Sequence, residues 1–212
     1  TQHSPYTPGE LFDIGWLRQS ICNLLPNYHF NFFTKVGNTE SDILWRVWSS
    51  ILYMFDDCEI DVNSGETESR ATSDNNNSSR SLGKRKLHGT RVDLRFTYDG
   101  AELGCAEAGR VDEGELGTKE MLEGSLKCPK TLRDMFVHLS KKYPDKKSGL
   151  RTFGFMMMGY SISASIMDSP GGNVCRLTRI TPRYTVSTNI KAFRHRVLPI
   201  LKFFLSIKQT ML

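Results

Sequence analysis

The sequence predicts an α/β (α+β) fold, a mixed β-sheet with helices packed on it. Three observations carry this: period-two alternation of apolar residues around Asp99-Gly100, a second alternating stretch from Phe153 to Ile180, and helical stripes with capping signals before, between and after them. At 212 residues the chain is long enough for one sizeable core, so a single domain with a helical extension is expected. The extension covers 1–38 and the domain proper 39–212.

From Gly9 to about Leu25, apolar residues recur at Leu11, Ile14, Leu17, Ile21 and Leu25, one face of an amphipathic helix. Aromatic-rich Tyr28 to Phe33 reads as an extended segment against the core, broken at Gly37. Thr39 and Asp42 then form a capping-box pattern, and Ile43, Leu44, Val47, Ile51, Leu52 and Phe55 supply the stripe of a second helix. Trp45 and Trp48 on this helix read most simply as core or near-core residues, the alternative being an exposed base-stacking role.

Residues 61–82 are nearly devoid of apolar side chains and include Asn75, Asn76 and Asn77, too little to offset the entropy of ordering. With the basic run that ends it, the segment reads as a flexible insertion over 61–90. Val92, Leu94 and Phe96, the turn Asp99-Gly100, and Leu103, Cys105 and Glu107 then describe a β-hairpin. After a glycine-bearing loop, Lys119 sits on a short helical turn.

Pro129 at a first-turn position and the stripe Leu132, Met135, Phe136, Leu139 and Tyr143 define a helix stopped by Pro144. Phe153, Phe155 and Met157, then Ile162, Ala164 and Ile166, alternate around Gly159, which marks a bend or bulge. The turn Ser169-Pro170-Gly171-Gly172 leads to a partner strand at Val174–Ile180. A last helix runs from about Ile190 to Lys208, with Ile190, Phe193, Val197, Leu201, Phe204 and Leu205 on its apolar face and Pro199 within it.

Composition narrows the function classes. No apolar run reaches the roughly 18 residues of a membrane span, so no membrane insertion is expected. Thr1 opens no secretory leader pattern, although a missing initiator Met leaves room for a removed upstream segment. Cys22, Cys58, Cys105, Cys128 and Cys175 lie far apart, without a zinc-type pair, and read as reduced thiols of an intracellular protein, nuclear or cytoplasmic. A net charge of +5 suits a polyanionic partner, nucleic acid first, because lysine and arginine displace the counterions around phosphates. Lys84, Arg85 and Lys86 are either a phosphate contact or a solvated basic loop. Phosphate-loop, serine-hydrolase and zinc-protease motifs are absent from the sequence.

Chemistry concentrates in the first hairpin, where Asp93 and Glu107 stand with Arg95, Glu102 and Arg110 nearby. A strict two-residue loop sets Asp93 opposite Ala106, whereas one bulged residue sets it opposite Glu107, with the carboxylates about 5 Å apart on one face. Two acids that close need a cation or a shared proton, which invites Mg²⁺ or Mn²⁺. The alternative is an ordinary cross-strand salt bridge, Asp93 with Arg110 or Glu107 with Arg95.

The order of Glu40 on a helix, then R-V-D-L-R-F at 91–96, a hairpin, G-C-A-E-A-G-R at 104–110 and a further helix resembles the PD-(D/E)XK nuclease superfamily. It is most similar to the divergent restriction-endonuclease-like domains of large uncharacterised fungal families and Crinkler-type proteins. The likeness spans roughly 39–181. It implies a restriction-endonuclease-like core, Asp93 and Glu107 as metal-binding acids, the Ala108 carbonyl as a further ligand, and Glu40 holding a metal-bound water. The lysine usual two residues after the second acid is replaced by Gly109, so Lys119 from the following helix is the natural stand-in. Arg110 cannot replace it as a base, because a guanidinium stays protonated.

Two readings follow: a Mg²⁺-dependent phosphodiesterase (endonuclease) cutting DNA or RNA at Asp93, Glu107 and Lys119, or a catalytically degenerate module of the same fold binding nucleic acid or a protein. In both, Lys84, Arg85, Lys86, Arg95 and Arg110 are candidate phosphate contacts. A third reading is a plain scaffold using the leader helix and the polar insertion.

Overall fold

The computed structural model describes residues 11–81, 84–114, 117–171 and 174–211. Helices α1 (Phe12–His29), α2 (Glu40–Val47) and α3 (Ser50–Tyr53) precede strand β1 (Ile60–Glu68), helix α4 (Arg70–Asn77) and the hairpin β2 (Arg91–Tyr98) and β3 (Ala101–Gly109). Helix α5 (Thr118–Leu122) passes through a π-helical turn, Glu123–Lys127, into α6 (Cys128–Lys142). Strands β4 (Thr152–Met158), β5 (Ser161–Gly171) and β6 (Val174–Thr185) follow, then α7 (Phe193–Met211). Gly9 and Gly172, used above to bound a helix and a turn, lie outside the described residues.

The six strands form one sheet in the order β1-β2-β3-β4-β5-β6, with β3 parallel to β4 and every other neighbour antiparallel. A parallel pair needs a long crossover, and α5, the π-turn and α6 supply it. Every residue of central β4 is buried, which is why its sequence reads as a continuous apolar run. Its alternation feeds two layers: Phe153, Phe155 and Met157 pack with residues of α1, α2, α3 and α7, while Met156 and Met158 pack with Cys128, Leu132 and Met135 of α6. The mixed sheet flanked by helices is therefore as predicted.

Thr39 does close a capping box with Asp42 at the start of α2. Trp48 is buried at 1% exposure, with its indole N–H donating to the Gly159 carbonyl, whereas Trp45 stands 51% exposed. Gly159, at φ +56°, makes the hairpin turn between β4 and β5 rather than a bulge within one strand. All five cysteines are free thiols. Among the described residues no helix is long and apolar enough to cross a membrane.

Trp45, expected in or near the core, is instead exposed, and three further expectations need correction. In α1 the buried face is Trp16, Ser20, Leu24 and Asn27, and Ile14 of the expected stripe is 63% exposed. Polar anchors turn the helix: Trp16 donates to the Ser50 carbonyl and Asn27 to the Arg46 carbonyl. Tyr28–Phe33 is not extended but completes α1 and enters a 3-10 turn, Phe32–Thr34.

The third correction concerns 61–90, expected to be flexible. Apart from 82 and 83, which lie outside the described residues, it holds a full edge strand and a helix. β1 completes the backbone bonding of β2. α4 is held by polar contacts: Ser69 caps it, Asn77 bonds both backbone groups of Leu87, and Asn76 bonds the His88 carbonyl.

The anchor of this segment is Glu102, 3% exposed. Its carboxylate accepts from the Ser69 hydroxyl at 2.7 Å and from the backbone N–H groups of Arg70 at 2.8 Å and Ala71 at 3.1 Å. A carboxylate at a helix N-terminus satisfies donors the helix cannot satisfy itself. Arg95 completes the arrangement, donating to Glu102 at 3.4 Å and to the Glu68 carbonyl at 2.6 Å. Removing one member of such a buried pair costs on the order of 3–5 kcal/mol. Glu102→Ala is therefore expected to lower stability by about that amount in urea unfolding, and hydrogen exchange should show the Arg70 and Ala71 amides losing protection before those of β3 and β4. Unchanged protection of α4 would show that Glu102 is not its anchor.

Candidate active site

The hairpin turn is tight, with Asp99 and Gly100 both at positive φ. Tyr98 faces Ala101 and Thr97 faces Glu102, but Phe96 faces Gly104, so Leu103 is an extra, bulged residue. Beyond it Leu94 faces Ala106, where the paired ladder ends, so the strict register that would set Asp93 opposite Ala106 is absent. Of the two registers weighed from sequence, the bulged one is present.

Across this pair the Ala108 N–H donates to Asp93 Oδ2 at 2.6 Å. Glu107 is 1% exposed; its Oε2 accepts from Lys127 Nζ at 2.6 Å, while its Oε1 is buried and meets no donor. Lys119 of α5 donates to Glu40 of α2 at 2.7 Å and to the Ala108 carbonyl at 2.8 Å. The sequence-predicted Glu40, Asp93, Glu107, Ala108 and Lys119 thus converge at the C-terminal end of β3.

Gly109 has a structural reason. A Cβ there would come within 2.3 Å of the Met158 sulfur, and Lys119 Cδ would lie 3.5 Å away. The position next to the acids is filled by Met158, and the alkyl chain of Lys119 passes over it, bringing an ammonium to this end of β3 from the next helix.

Sequence reading missed two members, Glu123 and Lys127. They follow Lys119 at four-residue intervals across α5 and the π-turn, so Lys119, Glu123 and Lys127 make a charge stripe that helical spacing alone would have revealed. Conversely, Arg95 is committed to Glu102 and the Glu68 carbonyl, with its side chain 15% exposed, which removes it from the candidate phosphate contacts. Glu107 pairs with Lys127 and not with Arg95. Lys84, Arg85, Lys86 and Arg110 are exposed, away from such commitments.

Burial dominates the electrostatics. Desolvation, opposed by Lys127 and reinforced by Glu123 and Asp93, pushes the Glu107 carboxyl up to about 7. Desolvation also raises Asp93, against the Ala108 hydrogen bond, and raises Glu123. Burial pulls the two lysines down, but Glu40 holds Lys119, and Glu107 holds Lys127, above the ordinary lysine value. Four carboxylates thus meet two ammonium groups, leaving two formal negative charges in a half-buried site.

Among the described residues no three or more His, Cys, Asp and Glu side chains are grouped so as to hold a metal ion. Mg²⁺ does not require three such side chains, because it keeps several waters and takes one or two carboxylates. The bare Glu107 oxygen, the Asp93 carboxylate, which already accepts from the Ala108 N–H, and the Ala108 carbonyl, which already accepts from Lys119, are hard oxygen donors of the kind it takes.

Because Glu107 has its folded value near 7, above that of an unfolded glutamate, the native state takes up a proton between about 4.5 and 7. Stability then falls as pH rises through that window. At about 1.4 kcal/mol per pKa unit, the penalty is on the order of 3 kcal/mol. In EDTA, Glu107→Gln should match wild type near pH 4.5 and exceed it by roughly that amount above pH 7 in urea midpoints. A difference that does not vary with pH would refute the buried, proton-holding glutamate.

Compared with protein-family models, with curated proteins and with solved structures, the chain matches none of them, so the site is interpreted from its own geometry.

Proposed function

We propose that this chain is a divalent-cation-dependent phosphodiesterase acting on nucleic acid, with its site at Asp93, Glu107 and Lys119. The single observation that carries this reading is the bare Oε1 of Glu107, a buried carboxylate oxygen without a donor, one residue from Ala108, whose N–H bonds Asp93 and whose carbonyl bonds Lys119. A buried polar atom left unpaired is costly, and in this position a cation would repay it. The motif resemblance to PD-(D/E)XK nucleases supports the same reading, and the net charge of +5 suits a polyanionic substrate.

Asp93, Glu107 and the Ala108 carbonyl would hold Mg²⁺ or Mn²⁺, with Glu40 holding a water of its shell. A bound cation there supplies a polarised phosphate and a water that ionises near neutral pH. The chain's own residues do the rest. Lys127 fixes the Glu107 carboxylate by its 2.6 Å contact. Lys119, steered by Glu40 and by the Ala108 carbonyl, offers a positive charge to the oxygens on which negative charge grows. Exposed Lys84, Arg85, Lys86 and Arg110 are available to the backbone of the substrate.

One observation favours the second reading, a degenerate binding module: the ion pairs Lys127–Glu107 and Lys119–Glu40 already neutralise half of the acids. Labelled DNA and RNA incubated with purified protein in Mg²⁺, then Mn²⁺, decide between the two. The expected outcome is cleavage that stops with EDTA, falls to background in Asp93→Ala and Glu107→Ala, and drops on the order of 10²-fold in Lys119→Ala with cation affinity retained. Folded wild-type protein that cuts neither polymer, or an Asp93→Ala variant that cuts as fast as wild type, would leave the binding module.

A further inference from the structure

Next to Asp93, on the side facing α2, lies a cavity of about 180 Å³ lined by Trp45, Glu40, Asp93 and the β1 residues Ser64, Gly65 and Glu66. The strand opens here because its register with β2 shifts between Ser64 and Thr67, with Gly65 at φ +97° and Glu66 at φ +52°. Trp45 presents 51% of its surface, while Trp48, one turn away, is 1% exposed and Trp16 5%. The buried face of α2 is Ile43, Leu44 and Val47, so Trp45 is not part of the stripe that holds the helix to the core.

The polar lining is one-sided. Three carboxylates supply acceptors, and two of them are balanced by cations outside the lining: Glu40 by Lys119 at 2.7 Å and Glu66 by Arg91 at 3.7 Å, each cation substantially exposed. A flat aromatic wall, acceptors within and positive charge beside them suit a group with a π-face, N–H donors and an attached phosphate. A nucleobase carrying an exocyclic amine is such a group: carboxylates accept from cytosine N4, and bases stack on exposed indoles. A paired base inside a duplex shows its face to its neighbours and cannot stack here.

We propose that this cavity holds an unpaired, amine-bearing nucleobase stacked on Trp45 beside Asp93, making single-stranded nucleic acid the ligand of this face. The proposal deepens the phosphodiesterase reading and rests on its assignment of nucleic acid as substrate, but its test needs no cleavage. Wild-type protein in EDTA at low salt is titrated with oligo-dC, oligo-dA, oligo-dT and a duplex, following tryptophan emission and, separately, the anisotropy of a labelled strand. Saturable quenching by oligo-dC and oligo-dA is expected, because Trp45 is the exposed one of the three tryptophans. Trp45→Ala should weaken binding roughly tenfold to a hundredfold, with Trp45→Phe recovering part of it. Oligo-dT should bind about tenfold more weakly than oligo-dC, since thymine offers no exocyclic amine, and the duplex more weakly still.

Quenching that persists in Trp45→Phe, equal affinity of wild type and Trp45→Ala, equal affinity for oligo-dT and oligo-dC, or no binding to any strand would each overturn the proposal. If cleavage assays fail while the Trp45-dependent quenching appears, the base site stands and the catalytic reading falls. If cleavage succeeds and Trp45→Ala binds as wild type does, the reverse holds.

Discussion

The bulge at Leu103 is the constraint on which the rest depends. Side chains of a strand alternate between faces, so Glu102 and Glu107, five residues apart, would ordinarily point to opposite sides. The extra residue between them cancels one alternation. Both acids then lie on the face that also carries Arg95, where Glu102 meets the start of α4 and Glu107 meets the approach to α6. Without the bulge, one of the two would be driven into the Leu94, Phe96 and Phe155 core, which has no partner to offer it.

The two buried acids have opposite fates. Glu102 meets four donors: one hydroxyl, two backbone amides and a guanidinium. Glu107 is buried as deeply but has a single ammonium and an empty oxygen. A carboxylate placed to stabilise a fold is saturated with hydrogen bonds, and one left short of them is a cost the fold carries. Local loss of stability of this kind is characteristic of sites that do chemistry, and this contrast within one hairpin separates the anchor from the candidate centre.

The hairpin, the capping box of α2 and the short helix that carries Lys119 were legible in the sequence because each is local: alternation about a tight turn, a four-residue cap and a short helical turn. The register of Asp93 against β3 was left open, because it depends on a bulge that alternation does not reveal. β1 and α4 were not legible. Their stability comes from partners far along the chain, above all Glu102, and from asparagine side chains bonding to Leu87 and His88. Composition measures apolar burial and is blind to a segment ordered by an open sheet edge and a buried carboxylate. The α1 face failed for a related reason, since counting aliphatic residues gave no weight to the indole and amide hydrogen bonds of Trp16 and Asn27.

The segment expected to be flexible matters to the proposed site because it forms one wall of the cavity beside Asp93. β1 has a single strongly buried apolar residue, Ile60 at 6% exposure, so burial alone cannot hold it against the sheet. It is kept there by its ladder with β2 and by the junction where Ser69, Arg70 and Arg95 meet Glu102. The bulged turn at Gly65 and Glu66 lies a few residues from that junction along the same strand. Glu102, remote from the acid cluster in role, thereby positions the strand that shapes the cavity, and the proposed base site and the acid pair both depend on the one extra residue at Leu103.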